Sequence, residues 1–291
     1  MPNTIATIGI AGLGRMGHPM AGRLVRAGYD VLGFDAAGTA ERLPEGVVAA
    51  ESIPDLASRA DVILLSVPSG DNSLDVCREI VGASGRRTGA VVDLSTIGIA
   101  AARECAESLA DHGISYVDAP VSGGVAGAIH GTLTMMVGAP ESMFDQLQPV
   151  LGTLSSKCFR VGDDAGHGQA MKLLNNYASA AALAATCEAA VFGERMGLDL
   201  ETIVEVVGAS TGRSAAIEDK FPRSIVPRTY DFGFAAALMT KDVRLYLESA
   251  SAAGVSHELA SATTDVWQRF LDSHPDADFT YIHKYFEDGG K

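Results

Sequence analysis

Three glycines near the N-terminus constrain the fold of this chain more than any other feature. Gly12, Gly14 and Gly17 lie in the run GLGRMG, which directly follows the apolar run TIATIGIAG and opens a stretch with helical periodicity. In such a strand–turn–helix unit the first glycine permits a tight turn, the second lets the backbone approach a pyrophosphate, and the third lets the helix pack on the strand. The N–H groups of the helix start then face the anion. A glycine-rich turn without a ligand is the alternative. We favour a dinucleotide-binding turn formed by Gly12, Leu13, Gly14, Arg15, Met16 and Gly17.

The same alternation of strand and helix patterns continues through the first half of the chain. Strands are predicted in VLGFD, DVILLSVP, AVVDLST, ISYVDAP and LTMMVGA, with helical segments between several of them. This order predicts a mostly parallel sheet that is covered by helices on both faces.

After about residue 165 the pattern changes to helices alone. A length of 291 residues also favours two domains. We expect the polar tail from His274 to pack loosely or to fray. The predicted fold is α/β: a Rossmann-type doubly wound sheet in residues 1–165, followed by an all-α domain in residues 166–291 that begins with a long interdomain helix. The predicted helices of this domain span roughly 167–197, 199–209, 214–221, 235–253 and 256–272.

Asp35 ends the second predicted strand, 18 residues after Gly17. An acidic residue at this position accepts hydrogen bonds from a ribose 2′-hydroxyl and repels a 2′-phosphate. Ala36 and Ala37 follow it, with no arginine directly after it. We therefore predict NAD as the cofactor, with NADP less expected. An aspartate in an ordinary strand-end turn is the alternative.

Composition and charge exclude several classes of partner. The chain is 47% hydrophobic and 20% charged, which is typical of a globular protein. A formal net charge of −14 argues against nucleic acid or an anionic membrane as a partner. The sequence has no recognisable secretory signal and no uninterrupted apolar span of membrane length, so we expect a cytoplasmic protein.

The spacing of histidines and cysteines predicts no metal site. The seven histidines lack metal-ligand spacing. The four cysteines lie far apart and form no CxxC pair, which is typical of reduced thiols rather than of a disulfide framework or a zinc site. They are Cys77, Cys105, Cys158 and Cys187.

One lysine lies in an unexpectedly apolar stretch. Between Gln169 and Cys187, Lys172 is the only charged residue, and the run is rich in Ala, Leu and Met. A helix with so few charges is usually buried nearly all round, and lysine is rarely buried without a partner or a role. Asn175 and Asn176 lie three and four residues further on, so the three polar side chains share one helix face. A lysine whose ammonium reaches solvent near a helix start is the alternative.

The helix that carries Lys172 is expected to line the cleft between the domains, where ligand sites are common. Beside an oxidised nicotinamide, like charge and desolvation both favour the neutral amine. A neutral amine can take a hydroxyl proton as a hydride leaves the same carbon, and Asn176 is then placed to hold the substrate oxygen. This hypothesis makes Lys172 a general acid and base.

Taken together, these residues resemble the β-hydroxyacid dehydrogenase family, which includes 3-hydroxyisobutyrate dehydrogenase and tartronate semialdehyde reductase. The resemblance covers nearly the whole chain and depends on four motifs in the family's order. They are GLGRMGHPMA at 12–21, DAPVSGG at 118–124, GHGQAMKLLNN at 166–176 and KDVRL at 241–245.

The resemblance implies a role for each motif. Lys172 would be the catalytic lysine, and Asn176 would bind substrate. Small residues with exposed N–H groups suit a carboxylate, so the implied carboxylate-binding residues are Ser122, Gly123 and Gly124. Thr96 would lie beside both substrate and nicotinamide. Further cofactor contacts are implied for Val67, Pro68, Phe234, Lys241 and Asp242. Without the resemblance, the VSGG run is equally consistent with a strand-end turn. Lys241 and Asp242 are then better interpreted as part of a solvated helix face.

The chain departs from the family after Gly212-Arg213-Ser214. Many relatives carry an aromatic residue at the next position, where this chain has Ala215. This loop is a candidate for choosing the substrate. Arg213 either meets a second anionic group of the substrate or is a surface arginine, and the second interpretation is the default.

The sequence therefore predicts an oxidoreductase that transfers a hydride between NAD and a small 3-hydroxy acid, or that reduces the corresponding aldehyde acid. Relatives suggest a homodimer or homotetramer assembled through the helical domain. Imine reduction on the same scaffold is a second interpretation, although those relatives usually replace the lysine. A non-catalytic dinucleotide-binding protein is a third, and loss of the lysine would mark it. The 6-phosphogluconate dehydrogenases have a much longer helical domain, which argues against that activity.

Overall fold

The structure is a computed structural model that describes residues 5–290. The chain forms two compact units that divide within one long helix: the first extends to Lys172 and the second starts at Leu173. The strands of the first unit are β1 (Thr7–Ala11), β2 (Asp30–Phe34), β3 (Val48–Ala49), β4 (Val62–Leu65), β5 (Ala90–Asp93), β6 (Ser115–Asp118), β7 (Val121–Ser122), β8 (Leu133–Gly138) and β9 (Ser155–Gly162). Its helices are α1 (Gly17–Arg26), α2 (Ile53–Arg59), α3 (Gly70–Gly82), α4 (Ile99–Ala110), α5 (Gly124–His130), α6 (Glu141–Leu154) and the first residues of α7 (His167–Arg195).

One sheet runs through the first unit in the order β3-β2-β1-β4-β5-β6-β8-β7, and β9 pairs with β8. The strands from β3 to β6 pair in parallel, whereas β8 pairs antiparallel with β6 and β7. Because β1 lies between β2 and β4, the strand order reverses at β1. Ligands bind at this switch point in doubly wound sheets. The predicted Rossmann-type fold is confirmed.

Side chains of the central strands alternate between two apolar cores, one on each face of the sheet. In β4, Val62 and Leu64 pack in the core that α1 and α6 cover. Ile63 and Leu65 pack in the other core, which α2, α3 and α4 cover. Both faces of the strand are therefore buried, which explains why its sequence is a continuous apolar run.

Three strands lie outside the predicted set. The strands β3 and β7 contain two residues each, too few for a hydrophobic period to show. The strand β9 pairs with β8 alone, and most of its side chains are exposed or half-buried. An edge strand of this kind carries little of the apolar alternation that predicts a strand.

The second unit is helical, as predicted. The segment predicted as a helix over 214–221 is a π-helical stretch, Ala216–Ile225, which contains Pro222. Proline lacks an N–H group and disfavours a regular α-helical ladder. The α-helices are the remainder of α7, α8 (Leu200–Gly208), α9 (Ala236–Ala252), α10 (Glu258–Ser273) and α11 (Ile282–Glu287).

The prediction of a loose or frayed tail is wrong. Phe279, Ile282, His283 and Tyr285 are at most 2% exposed. The apolar side chains of this set pack in the same core as Trp267. A 3₁₀ turn at Phe279–Tyr281 and helix α11 direct these residues inward. Burial of large aromatic rings outweighs the polar residues between them.

Helix α7 is less buried than its low charge suggests. Met171, Leu174 and Phe192 are 40%, 54% and 66% exposed. The expectation of a helix buried nearly all round is therefore wrong for the single chain, because few charges do not specify what covers each face. Between residues 5 and 290, no helix combines the length and apolar character needed to cross a membrane.

Candidate active site

The three glycines of the turn between β1 and α1 meet two different structural requirements. A Cβ atom at Gly12 would lie 2.1 Å from the Ser66 carbonyl oxygen, and one at Gly17 would lie 1.9 Å from the Gly12 carbonyl oxygen. A Cβ atom at Gly14 would meet nothing within 4 Å among the described residues. Packing therefore requires the first and third glycines, whereas Gly14 leaves open space at its backbone. Such space suits the close approach of a pyrophosphate.

Asp35 holds this turn against the end of β2. Its Oδ2 accepts a hydrogen bond from the Leu13 N–H at 2.7 Å, and its Oδ1 accepts one from the Ala37 N–H at 2.9 Å. The Nη1 of Arg42 lies 3.5 Å from the same carboxylate. The sequence prediction considered the residues directly after Asp35, whereas this arginine comes from a 3₁₀ turn seven residues later.

The segments after β4 and β5 are joined by a hydrogen bond. The Val67 N–H donates to Ser95 Oγ at 2.9 Å. Val67 is half-buried and Pro68 is exposed. Thr96 is half-buried between the buried residues Ser95 and Ile97. The predicted cofactor-side residues of β4 and β5 therefore lie at the carboxyl edge of adjacent parallel strands.

Two buried side chains, Asp118 and Gln169, fix the start of α7. The Asp118 carboxylate accepts hydrogen bonds from the Gly166 N–H at 3.0 Å and the Gln169 N–H at 2.7 Å. Burial raises the pKa of Asp118 to about 6, and the two backbone donors oppose that rise. We use the name helix-start network for Asp118, Gln169 and the backbone groups to which they are hydrogen-bonded. It places the segment that precedes Ser122 against the helix that carries Lys172.

Lys172 is buried, with 7% of its surface exposed. It lies one helical turn after Gln169, so the two side chains share a face of α7. The predicted carboxylate-binding residues follow β6: Ser122 ends β7, and Gly123 and Gly124 have positive φ values of 125° and 62°. Both glycines are exposed, as a backbone anion site requires.

The remaining predicted residues lie in the second unit. Asn176 Nδ2 donates to Asp242 Oδ2 at 2.6 Å, and Lys241 Nζ lies 3.3 Å from Asp242 Oδ1. Asn175 Nδ2 donates to Asn176 Oδ1 at 3.1 Å. Phe234 is half-buried, and its ring meets that of Phe279 edge to face at 5.6 Å.

Arg213 is an exposed arginine that lies 3.4 Å from the Glu218 carboxylate. This pairing agrees with its default interpretation as a surface residue.

Sequence patterns missed the polar residues that hold the site segments. Asp93 and Asp118 end neighbouring parallel strands and are register partners. Asp93 accepts hydrogen bonds from Ser73 Oγ at 2.6 Å and from the Ser95 N–H at 2.9 Å. Burial raises the pKa of Asp93, against the hydrogen bonds from these serines. The signal was present, because the DLST and DAPVSGG motifs each begin with an aspartate at a strand end.

A second polar cluster was also absent from the sequence prediction. Ligand atoms of Glu194, His283 and Glu287 lie within 4.8 Å of one another. We call these residues the glutamate–histidine cluster. Arg228 donates hydrogen bonds to both glutamates. Because an arginine already supplies a cation there, we assign no metal to the cluster.

Two family models match successive parts of the chain, with their boundary between residues 162 and 166. Residues 7–162 match the family model described as the NAD binding domain of 6-phosphogluconate dehydrogenase. Residues 166–286 match the family model described as NAD-binding of NADP-dependent 3-hydroxyisobutyrate dehydrogenase. A probable 3-hydroxyisobutyrate dehydrogenase of Mycobacterium bovis is 37% identical over 286 residues, which cover 96% of this chain and 97% of the relative.

The chain belongs to the β-hydroxyacid dehydrogenase family.

Two further proteins are similar to this β-hydroxyacid dehydrogenase over most of its length. The 2-(hydroxymethyl)glutarate dehydrogenase of Eubacterium barkeri is 38% identical over 265 residues, covering 90% of this chain and 88% of that one. The structure of Mycobacterium tuberculosis 3-hydroxyisobutyrate dehydrogenase with L-serine has a TM-score of 0.89 at 35% identity, covering 97% of this chain and 99% of that one. These three relatives are named as dehydrogenases and are more similar to this chain than the imine reductase structures, at 17–22% identity, which supports a NAD-binding hydroxyacid dehydrogenase over an imine reductase.

Proposed function

We propose that this β-hydroxyacid dehydrogenase oxidises the C3 hydroxyl of a 2-substituted 3-hydroxypropanoate, with Lys172 as the general base, and reduces the matching aldehyde acid in reverse. The observation that carries the proposal is a lysine only 7% exposed on α7, in the motif where the family resemblance places the catalytic lysine. Bound NAD supplies the hydride acceptor at the nicotinamide ring.

The substrate class comes from a unit that the relatives' ligands have in common. 3-Hydroxyisobutyrate, 2-(hydroxymethyl)glutarate and L-serine each contain a primary hydroxyl on the carbon next to the one that bears the carboxylate. They differ in the group on C2: a methyl, a carboxyethyl or an ammonium. We therefore expect this chain to require the 3-hydroxypropanoate unit and to choose among C2 substituents.

The residues of the chain divide the chemistry among them. Lys172 takes the hydroxyl proton as the hydride leaves C3, and it returns a proton in the reductive direction. Burial and a neighbouring positive charge both favour the neutral amine that a base requires. The exposed backbone of Gly123 and Gly124, with the hydroxyl of Ser122, suits the substrate carboxylate.

Asn176 is proposed to hold the substrate oxygen. Its amide nitrogen carries two hydrogens, and Asp242 accepts one of them at 2.6 Å. The second hydrogen is then directed by a fixed amide rather than by a freely rotating one. Lys241, Thr96 and Phe234 are proposed as cofactor contacts, as the resemblance implies.

Preference for NAD over NADP is part of the proposal. The Asp35 carboxylate at the end of β2 would accept a hydrogen bond from the ribose 2′-hydroxyl and would repel a 2′-phosphate. Arg42, which lies 3.5 Å from it, reduces that repulsion.

We further propose that the domains divide at residues 165 and 166, that the protein is cytoplasmic, and that two or four copies assemble through the helical domain. Apolar residues exposed on α7 support the assembly, since such surfaces mark protein contacts. Leu174 and Phe192 are examples, at 54% and 66% exposure. Sedimentation of the wild type and of Phe192→Glu tests this directly, because a charge in the contact would favour the monomer.

A cofactor-coupled absorbance screen tests the function. The panel contains short 3-hydroxy acids with different C2 groups, each paired with its 2-hydroxy isomer as a control. We expect NADH formation with at least one 3-hydroxy acid, none with the isomers, and loss of that signal in Lys172→Ala. Equal rates with 2-hydroxy isomers would contradict the proposed substrate class.

A further inference from the structure

The segment that carries Thr96 is held by one side chain from another part of the first unit. Gln169 Oε1 accepts hydrogen bonds from the Ile97 N–H at 2.9 Å and the Gly98 N–H at 3.2 Å. Its Nε2 donates to the Ser95 carbonyl oxygen at 3.0 Å. Thr96 is therefore bracketed on both sides by backbone groups that Gln169 bonds.

Gln169 itself is fixed at its backbone. Asp118 accepts its N–H at 2.7 Å, and the side chain of Gln169 is fully buried. The start of α7 also lies very close to the sheet, since a Cβ atom at Gly168 would lie 2.4 Å from the Met136 carbonyl oxygen. The backbone position of Gln169 is thus set by contacts other than the hydrogen bonds of its side chain to the Thr96 segment.

The same residue precedes Lys172 by one helical turn. A displacement of the Thr96 segment relative to α7 would therefore change the distance between Thr96 and Lys172. Misplacement by about 1 Å at a reacting centre can lower a rate by about 10²-fold. Among side chains of this length, only glutamine supplies a neutral acceptor for two N–H groups and a donor for a carbonyl oxygen without first binding a proton.

We propose that Gln169 is a positioning residue that sets Thr96 against Lys172 for the hydride-transfer step. This inference rests on the proposed function of Lys172. Gln169 does not touch the reacting atoms; it acts through the backbone of residues 95–98. Because Thr96 is only one of several proposed cofactor contacts, loss of Gln169 should lower kcat far more than it raises the Kd of NAD.

Two substitutions grade the effect. Gln169→Met keeps the length and removes all three hydrogen bonds, and we expect kcat to fall about 10²-fold. Gln169→Glu keeps an acceptor and, when ionised, loses the donor to the Ser95 carbonyl oxygen, and we expect a fall of about tenfold. In both variants the Kd of NAD should change by less than about threefold, and the deuterium isotope effect on kcat should rise because hydride transfer becomes slower.

Thr88→Val is the matched control. Thr88 is 4% exposed in the same unit, and its hydroxyl donates to the carbonyl oxygens of Ala57 and Ala60 at 3.1 and 2.9 Å. This variant should lose thermal stability and keep the kcat and isotope effect of the wild type. A role of Gln169 in stability alone would make its variants behave like Thr88→Val.

The outcomes separate the inference from the function on which it rests. If Lys172→Ala keeps more than about a third of the wild-type rate, the proposed function fails whatever Gln169 does. If Lys172→Ala is inactive but Gln169→Met keeps at least about a third of kcat, the positioning role is overturned. Failure of both Gln169 variants to fold would also overturn it, because the residue would then act in folding.

Discussion

The two buried polar clusters of this chain are built in contrasting ways. In the helix-start network, both oxygens of Asp118 and both polar atoms of Gln169 have hydrogen-bond partners, all of them backbone groups. In the glutamate–histidine cluster, both ring nitrogens of His283 and Glu194 Oε2 have no hydrogen-bond partner among the described residues. The nearest approach between them is 3.3 Å, from His283 Nε2 to Glu194 Oε2.

The difference shows how each cluster contributes. Hydrogen bonds to backbone groups fix chain segments in space. The helix-start network therefore sets the positions of the motif residues that it holds. Charged partners bring α7, α11 and Arg228 together, but they leave buried atoms unsatisfied, which costs about 1–3 kcal/mol for each group. We therefore expect changes in the first cluster to affect turnover and changes in the second to affect stability.

The largest expected effect comes from the lysine next to the helix-start network. Lys172→Ala should lower kcat by about 10²- to 10⁴-fold, because the proton acceptor is lost. Affinity for NAD should stay nearly unchanged, as measured by titration of intrinsic fluorescence.

Lys220→Met is the matched control for Lys172→Ala. Lys220 is equally buried at 7% exposure but lies in the π-helical stretch of the second unit. Its replacement should leave kcat within about threefold of the wild type. Equal losses of kcat in both variants would show that burial of a lysine, not catalysis, explains the first result.

The next effect concerns acid stability at the glutamate–histidine cluster. Burial lowers the pKa of His283 to about 4, against the attraction of Glu287. Between about pH 6.5 and 4 the unfolded chain binds a proton that the folded chain does not, so stability falls as the pH falls through this window. The loss reaches roughly 3 kcal/mol once the pH is below the folded pKa and both states bind the proton.

His283→Phe should remove that loss, because the ring is kept without a titrating group. Urea unfolding at pH 7 and at pH 4.5 measures the difference, and kcat at pH 7 should remain that of the wild type. The groups that face the ring are Glu194, Glu287, Lys284 and Arg228. An unchanged pH slope in His283→Phe would assign the acid sensitivity to those groups instead.

The contribution of Asp118 to the pH dependence of stability should have the opposite sign in the same pH range. Its folded pKa of about 6 lies above the ordinary value of 3.8, so the folded chain holds the proton more tightly. The stability that this group contributes is fully present below about pH 4 and is lost as the pH rises through about 6. Asp118→Asn removes this slope, with a change of about 1–2 kcal/mol between pH 4.5 and 7.

Asp118→Asn also tests whether the helix-start network, unlike the glutamate–histidine cluster, affects kcat. An asparagine oxygen can accept one of the two N–H groups, and its NH₂ then opposes the other. We expect kcat to fall about tenfold in Asp118→Asn. A variant with wild-type kcat and an altered pH slope would show that the helix-start network does not position the site.

The smallest effect concerns Asp35, another carboxylate that bonds backbone N–H groups. Asp35→Ser should raise the kcat/KM ratio of NADP to NAD by about tenfold, because a 2′-phosphate is no longer repelled. Arg42 should assist the gain, so Asp35→Ser with Arg42→Ala should lose most of it. If the two variants give the same ratio from initial rates, Arg42 has no part in cofactor choice.

Sequence patterns predicted the fold where the signal is local. The glycine turn, the buried run of β4 and the helical second unit each follow from neighbouring residues. The strand β9 and the buried tail were missed because pairing with β8 and the core around Trp267 depend on residues far away along the chain.

For the candidate site, the sequence identified residue types but not their supports. Lys172 stood out as a lone charge, whereas Gln169 bonds residues 71 to 74 positions away. Glu194 and His283 are even further apart, and no local period links them. Long-range hydrogen bonds of this kind become visible only when the sheet order is known.

The measurement that tests the central claim most directly is the pH dependence of oxidation with a deuterated 3-hydroxy acid. If Lys172 is the base, the rate rises with pH, the isotope effect shows that hydride transfer limits it, and the acid limb is lost in Lys172→Ala but kept in Lys241→Ala. The isotope control matters because slow cofactor release can flatten a profile without any change in the chemistry. A rate that is independent of pH between about 6 and 10, with a full isotope effect, would contradict Lys172 as the base.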